Sequence, residues 1–197
     1  MAPLDGREMM LAVSREIPGA FERLVSVYES RIKAAVARSI SDRSSVDDLS
    51  QEVLLRLYRA RARYEPTARF ETFLYRIIFN LCVNHTQYQR RRRTLPLEQA
   101  GGYGESDFST LPEDENAPSP IEDVAREERG RIVRAAMEQL PENQRRALQL
   151  SRFEGLGYEE ISEVMTLSVQ AVKSLLWRAR ENLRHSLGSR LGNYADA

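Results

Sequence analysis

The side chains able to do chemistry in this chain are cations and amides rather than nucleophiles. Near the C-terminus, Gln170, Lys173, Ser174, Arg178 and Arg180 lie off the apolar stripe of a helical segment, with Ser168 and Ala171 at its start. Arginine and lysine pair with phosphates or guanine edges, and glutamine matches the adenine edge. A helix bearing them suits the major groove of DNA; the plainer alternative is a helical hairpin with a solvated basic face. The Arg90–Arg93 run is a second cationic site, suited to phosphate or simply favoured by a helix C-terminus. Cys82 and His85 have C-x-x-H spacing, but no further Cys or His lies nearby and His185 stands alone, so no metal site is expected. There is no Gly-rich phosphate loop, no nucleophile elbow and no H-E-x-x-H, so neither catalysis nor a cofactor is expected.

Helices must position these groups. Phe21, Leu24, Val25, Tyr28, Ile32, Ala35 and Val36 recur at three- and four-residue intervals. Leu49, Val53, Leu57 and Tyr58 make a second stripe, with Asp47 or Asp48 to cap or charge its start. Phe70, Phe73, Leu74, Ile77, Ile78 and Leu81 make the third. A short helix with Met9, Met10 and Val13 is an optional addition before them. Further on, Ile132, Val133, Ala136, Met137 and Leu140 predict one helix, and Pro141 at a first-turn position starts another, ended by Gly155 and Gly157. The last two are predicted over Tyr158–Met165 and Val169–Leu187, joined by the short turn Thr166–Ser168 with Ser168 as cap. No alternating segment competes, so the fold is predicted to be all-α.

Charge divides the chain. Its 29 basic and 29 acidic residues cancel, but residues 1–93 carry +6, residues 94–128 carry −9 and residues 129–197 carry +3. The acidic stretch holds Gly101, Gly102, Gly104, Pro112, Pro118 and Pro120 without a usable period, and reads as a linker. The expected organisation is a helical domain over 1–93, a linker over 94–127, a second helical domain over 128–190 and a tail over 191–197. No apolar run is long enough to span a membrane, and the charged first 17 residues do not read as a signal peptide. The single cysteine fits a reducing cytoplasm.

Two motifs then become familiar. Leu140-Pro141-Glu142-Asn143-Gln144-Arg145-Arg146, Gly157-Tyr158-Glu159-Glu160-Ile161 and Val172-Lys173-Ser174 with Arg178-Ala179-Arg180 resemble domain 4 of bacterial sigma factors. The similarity is to the extracytoplasmic-function group, which keeps only domains 2 and 4. Asp48-Leu49-Ser50-Gln51-Glu52-Val53-Leu54-Leu55-Arg56-Leu57 resembles that family's polymerase-binding helix. Arg69-Phe70-Glu71-Thr72-Phe73-Leu74-Tyr75-Arg76 and the residues up to Asn80 resemble its −10 recognition segment. The chain departs from the pattern at Phe73 (usually Trp), Asn84 (often Asp), Thr166 (usually a turn glycine), Ala171 and Leu175 (often Thr and Arg).

The resemblance implies a sigma factor whose partners are core RNA polymerase and promoter DNA. It adds an anti-sigma factor as a candidate partner, although nothing in the sequence identifies one; no membrane insertion and no small-molecule substrate are expected. Asp48, Gln51, Glu52, Leu55 and Arg59 would dock on the clamp helices of the largest polymerase subunit. Phe73, Tyr75, Arg76, Asn80 and Asn84 would act at the −10 element, with Arg90, Arg91, Arg92 and Arg93 on phosphates. Ser168, Gln170, Ala171, Lys173, Ser174, Arg178 and Arg180 would serve the −35 element. Phe70 is assigned to the core. The rival is a two-domain regulator with a LuxR-like helix-turn-helix and no polymerase role, which the last two helices alone do not exclude.

Overall fold

A computed structural model describes residues 5–94 and 130–195, with side chains over 5–92 and 130–188. The expected linker over 94–127 lies almost wholly outside the described residues. The chain divides into two compact units, each helical, with no strand among the described residues.

The optional first helix is present as α1 (Gly6–Ser14), capped by Asp5, whose carboxylate accepts the Arg7 N–H at 3.3 Å. It packs on α2 (Ala20–Ser39), which buries Leu24, Tyr28, Ile32, Ala35 and Val36, the face its periodicity predicts. Gly6 has to be glycine, because a Cβ there would run into the Tyr28 hydroxyl and the Phe70 ring. α3 (Val46–Ala60) buries Ser50, Val53 and Leu57. Asp47 and Asp48 do not cap it; they sit in its first turn, where their charge favours the helix dipole. The cap chemistry lies one turn earlier, where Asp42 takes the Ser44 and Ser45 hydroxyls at 2.7 Å each.

α4 (Phe70–Thr94) carries the helix through the arginine run. Its buried arc runs from Phe70 and Leu81 through Leu74 and Ile78 to Tyr75 and Cys82. Phe73 and Ile77, placed in the apolar stripe by their type, are only half-buried at its margin. Phe70 is core as expected, its ring edge-on to Tyr28 at 4.9 Å.

The second unit begins with α5 over residues 130–138, followed by α6 (Glu142–Arg152). Pro141 is the N-cap of α6 rather than its first helical residue. Its extended ψ of 139° keeps it just outside the helix, where its missing N–H costs nothing. The chain leaves α6 through Gly155 at φ +67, and the Leu156 N–H closes the end on the Leu150 carbonyl at 3.1 Å. α7 (Tyr158–Met165) starts with a capping interaction: the Gly157 N–H donates to Glu160 Oε2 at 2.8 Å. α8 (Val169–Ala195) packs on α6, and Asn182 Nδ2 donates to Gln144 Oε1 at 2.8 Å. It runs past the expected end at Leu187 and into the expected tail as far as Ala195, because Gly188 and Gly192 weaken a helix but do not forbid one.

Candidate nucleic-acid and polymerase interfaces

The turn between α7 and α8 fixes which face of α8 is exposed. Thr166 adopts φ +55, the left-handed conformation that glycine usually supplies, and the Leu167 N–H closes on the Ser162 carbonyl at 3.0 Å. Ser168 then caps α8, its hydroxyl accepting the Ala171 N–H at 3.2 Å. Val172, Leu176 and Ala179 are buried, which turns Gln170, Lys173, Arg178 and Arg180 into water. Ser174 is half-buried and donates to the Gln170 carbonyl at 3.0 Å; Ala171 is also half-buried. Lys173 Nζ sits 5.7 Å from the centre of the Tyr158 ring, a cation–π contact that steadies a long side chain.

The sequence reading missed Trp177. It is 64% exposed on the same face, one helical turn after Lys173 and flanked by Arg178 and Arg180. A signal was available: the chain's one tryptophan stands four residues beyond a proposed base-contacting lysine and off the apolar stripe.

On α4, Arg76, Asn80 and Asn84 are exposed at four-residue intervals. Arg76 lies over the Phe73 ring at 5.8 Å, and that ring is edge-on to Tyr64 at 5.1 Å. Arg90, Arg91 and Arg92 extend the surface; Arg93 lies on the helix, outside the described side chains. Tyr75 is a correction. It is 2% exposed, and its hydroxyl accepts from Arg31 Nη2 at 3.4 Å. The buried arc of α4 extends one residue past Leu74 toward α2, which covers the Tyr75 ring instead of presenting it with Arg76 and Asn80. A second residue passed over is Tyr88, 59% exposed beside Arg92.

Beneath α4's first turn lies a polar cluster. The Tyr28 hydroxyl donates to Glu71 Oε1 at 3.1 Å, and Arg31 and Arg69 approach the same carboxylate at 3.9 and 3.8 Å. Burial, followed by the adjacent Glu71 charge, pushes the Tyr28 hydroxyl up to about 12. Arg7 also donates to the Pro66 carbonyl at 2.7 Å, tying α1 to the loop that leads into α4.

On α3, Asp48, Gln51, Leu55 and Arg59 form one exposed line, with Leu55 42% exposed. Glu52 is at its edge and paired with Arg56 at 2.7 Å. Tyr58 adds an exposed ring, covered on one side by Arg61 at 4.0 Å and met by Phe21 at 5.0 Å. No group of His, Cys, Asp and Glu among the described residues is arranged to hold a metal ion.

A helix-turn-helix with an exposed cationic face, and a second helical unit with a polar-cationic face, are features that suit nucleic-acid binding. Comparison with known proteins gives the family. The Sigma-70 region 2 model matches residues 24–92, and the Sigma-70 region 4 model matches residues 130–183. RNA polymerase sigma-H factor of Pseudomonas aeruginosa is 33% identical over 184 residues, covering 92% of this chain and 93% of that protein. ECF RNA polymerase sigma-E factor of Escherichia coli K12 is 33% identical over 162 residues, covering 82% and 83% respectively. In fold, the chain is similar to CnrH, solved in complex with the cytosolic domain of CnrY. The TM-score is 0.64 at 21% identity, over 93% of this chain and 97% of that one. The chain belongs to the sigma-70 family of RNA polymerase sigma factors, in its extracytoplasmic-function group. A sigma factor binds core RNA polymerase and directs it to promoter DNA, and that is the function of this chain; the match to region 2 disfavours a regulator without a polymerase role. The family consists of initiation factors rather than enzymes. No described helix is long and apolar enough to cross a membrane.

Proposed function

We propose that the two units divide promoter recognition, with α8 reading the −35 duplex and α4 opening the −10 element while α3 holds core polymerase. The observation that carries this division is that the chain exposes three separate helix faces of different chemistry. The α8 face, with Gln170, Lys173, Trp177, Arg178 and Arg180, has the donors and the flat ring for base edges and thymine methyls in the major groove. The α4 face offers amides and arginines at single-turn intervals, and a flipped base costing a few kcal/mol is held by such stacking and edge contacts. Phe73 is the wedge, because its ring stands half-buried at the margin of this face, met edge-on by Tyr64 and with Arg76 over it. The α3 line has an apolar centre, Leu55, within a polar rim of Asp48, Gln51, Glu52 and Arg59, the makeup of a protein-docking surface.

The domains assigned are 1–93 and 128–190. An anti-sigma factor is a fitting partner, in line with a structural neighbour described as the sigma factor RpoE in complex with the anti-sigma factor NepR from Bartonella quintana. The chain itself performs no catalysis in this reading and works in the bacterial cytoplasm. Run-off transcription with core polymerase on a genomic promoter library tests it. Transcripts from promoters sharing two spaced elements are expected. Products that start without shared −35 and −10 elements would overturn the division.

A further inference from the structure

Tyr158 and Lys173 meet across the turn between α7 and α8. The Lys173 ammonium lies 5.7 Å from the centre of the Tyr158 ring, within reach of a cation–π attraction. Both side chains are exposed, Tyr158 at 42%. Each stands on a fixed base. Tyr158 opens α7, where the Gly157 N–H donates to Glu160 Oε2 and the Ile161 N–H to the Gly157 carbonyl at 2.9 Å. Lys173 follows the buried Val172 near the start of α8, which Ser168 caps.

A lysine stem is flexible, and an exposed ammonium left to itself samples many positions. Two kinds of partner can hold it. A carboxylate occupies its donors and cancels its charge, as Glu29 and Asp47 do for Lys33 at 3.4 and 3.5 Å. An aromatic face attracts it through the ring quadrupole, leaving the charge whole and the N–H donors open. Lys173 has the second kind of partner; among the described residues it makes no ion pair.

An ammonium held in this way suits one target in the major groove. The guanine edge offers O6 and N7 as adjacent acceptors, and free donors on a fixed cation reach them at one base pair. A loose cation finds phosphates and neighbouring acceptors as readily, so the preference for one base depends on what holds the ammonium.

We infer that Tyr158 is a positioning residue for promoter selection: its ring presents the Lys173 ammonium to a guanine edge of the −35 duplex. Tyr158 thereby sets how strongly guanine is preferred at that position, acting through Lys173 rather than through a base contact of its own. The inference rests on the proposed reading of the −35 duplex by α8.

The test uses holoenzyme assembled from the full chain and bacterial core polymerase, with duplex selected from a library randomised over the −35 element. Wild type is expected to select guanine at one position, and Lys173→Ala to lose that choice. Tyr158→Phe keeps the ring face and should select as wild type does. Tyr158→Leu should weaken the choice at the same position by about 2- to 5-fold, the worth of an exposed cation–π contact, and leave the other positions unchanged. Tyr158→Leu combined with Lys173→Ala should relax selection no further than Lys173→Ala alone. The inference is overturned if Tyr158→Leu leaves that position intact. It is overturned as well if Tyr158→Leu weakens all sequences alike, as damage to the fold or a lost phosphate contact would. A Tyr158→Phe result equal to that of Tyr158→Leu would assign the effect to the hydroxyl and overturn it too. An unaltered selection by Lys173→Ala would overturn the reading by α8 through Lys173 itself, a failure seen without any Tyr158 variant.

Discussion

Thr166 shows how a single residue can disagree with its position and keep the fold. Its φ of +55 puts a β-branched side chain in a conformation costing about 1–2 kcal/mol, and glycine would relieve it. Glycine gives back about 0.5–1 kcal/mol through the greater freedom of the unfolded chain. Thr166→Gly is therefore expected to stabilise the protein by about 0.5–1 kcal/mol, read as a higher urea midpoint at unchanged m-value. Tyr28 makes a prediction in pH. Its folded value is raised from 10.0 to about 12, so folding retains a proton that the unfolded chain has lost between those values. Its contribution is fully present below pH 10 and is lost as pH rises toward 12. Unfolding of Tyr28→Phe should show a flatter alkaline decline than wild type, and parallel curves would refute the linkage.

At the scale of the element, the work proposed for α4 and for α8 differs although their exposed residues are similar. The α4 arginines are consecutive, which gives charge without register; the α8 groups recur at helical spacing, which gives register. Arg91→Ala should weaken promoter binding alike on all sequences and reduce the salt slope by about one. Lys173→Ala should instead relax preference at one −35 position by about 1–3 kcal/mol, measured by selection from a randomised −35 library. An unaltered consensus would remove Lys173 from base reading. The periodicity of these helices was legible because each has one apolar stripe. What periodicity left out was the edge of the stripe: Phe73 and Tyr75 are both aromatic and two residues apart, yet one borders solvent and the other is buried on Arg31.

Across the whole molecule, charge divides into +6, −9 and +3. Both blocks proposed to engage DNA are basic, and the stretch between them is strongly acidic. An acidic segment tethered to basic faces competes with DNA for them at high effective concentration. Deleting residues 101–117 should raise the free protein's affinity for DNA at low salt, with the gain vanishing as salt screens the attraction. Equal affinity with and without the segment would show that the acidic stretch does not compete.

By itself the sequence determined the helices, the two-unit organisation and the family. Those follow from residue order, from apolar spacing and from motifs that survive in linear form. Only the tertiary structure decided which face of each helix is available. Burial depends on what a neighbouring helix covers, and the covered arc can shift by one residue without changing the apolar period. That shift covered Tyr75, left Phe73 at the margin of the exposed face, and left the Trp177 and Tyr88 rings in water.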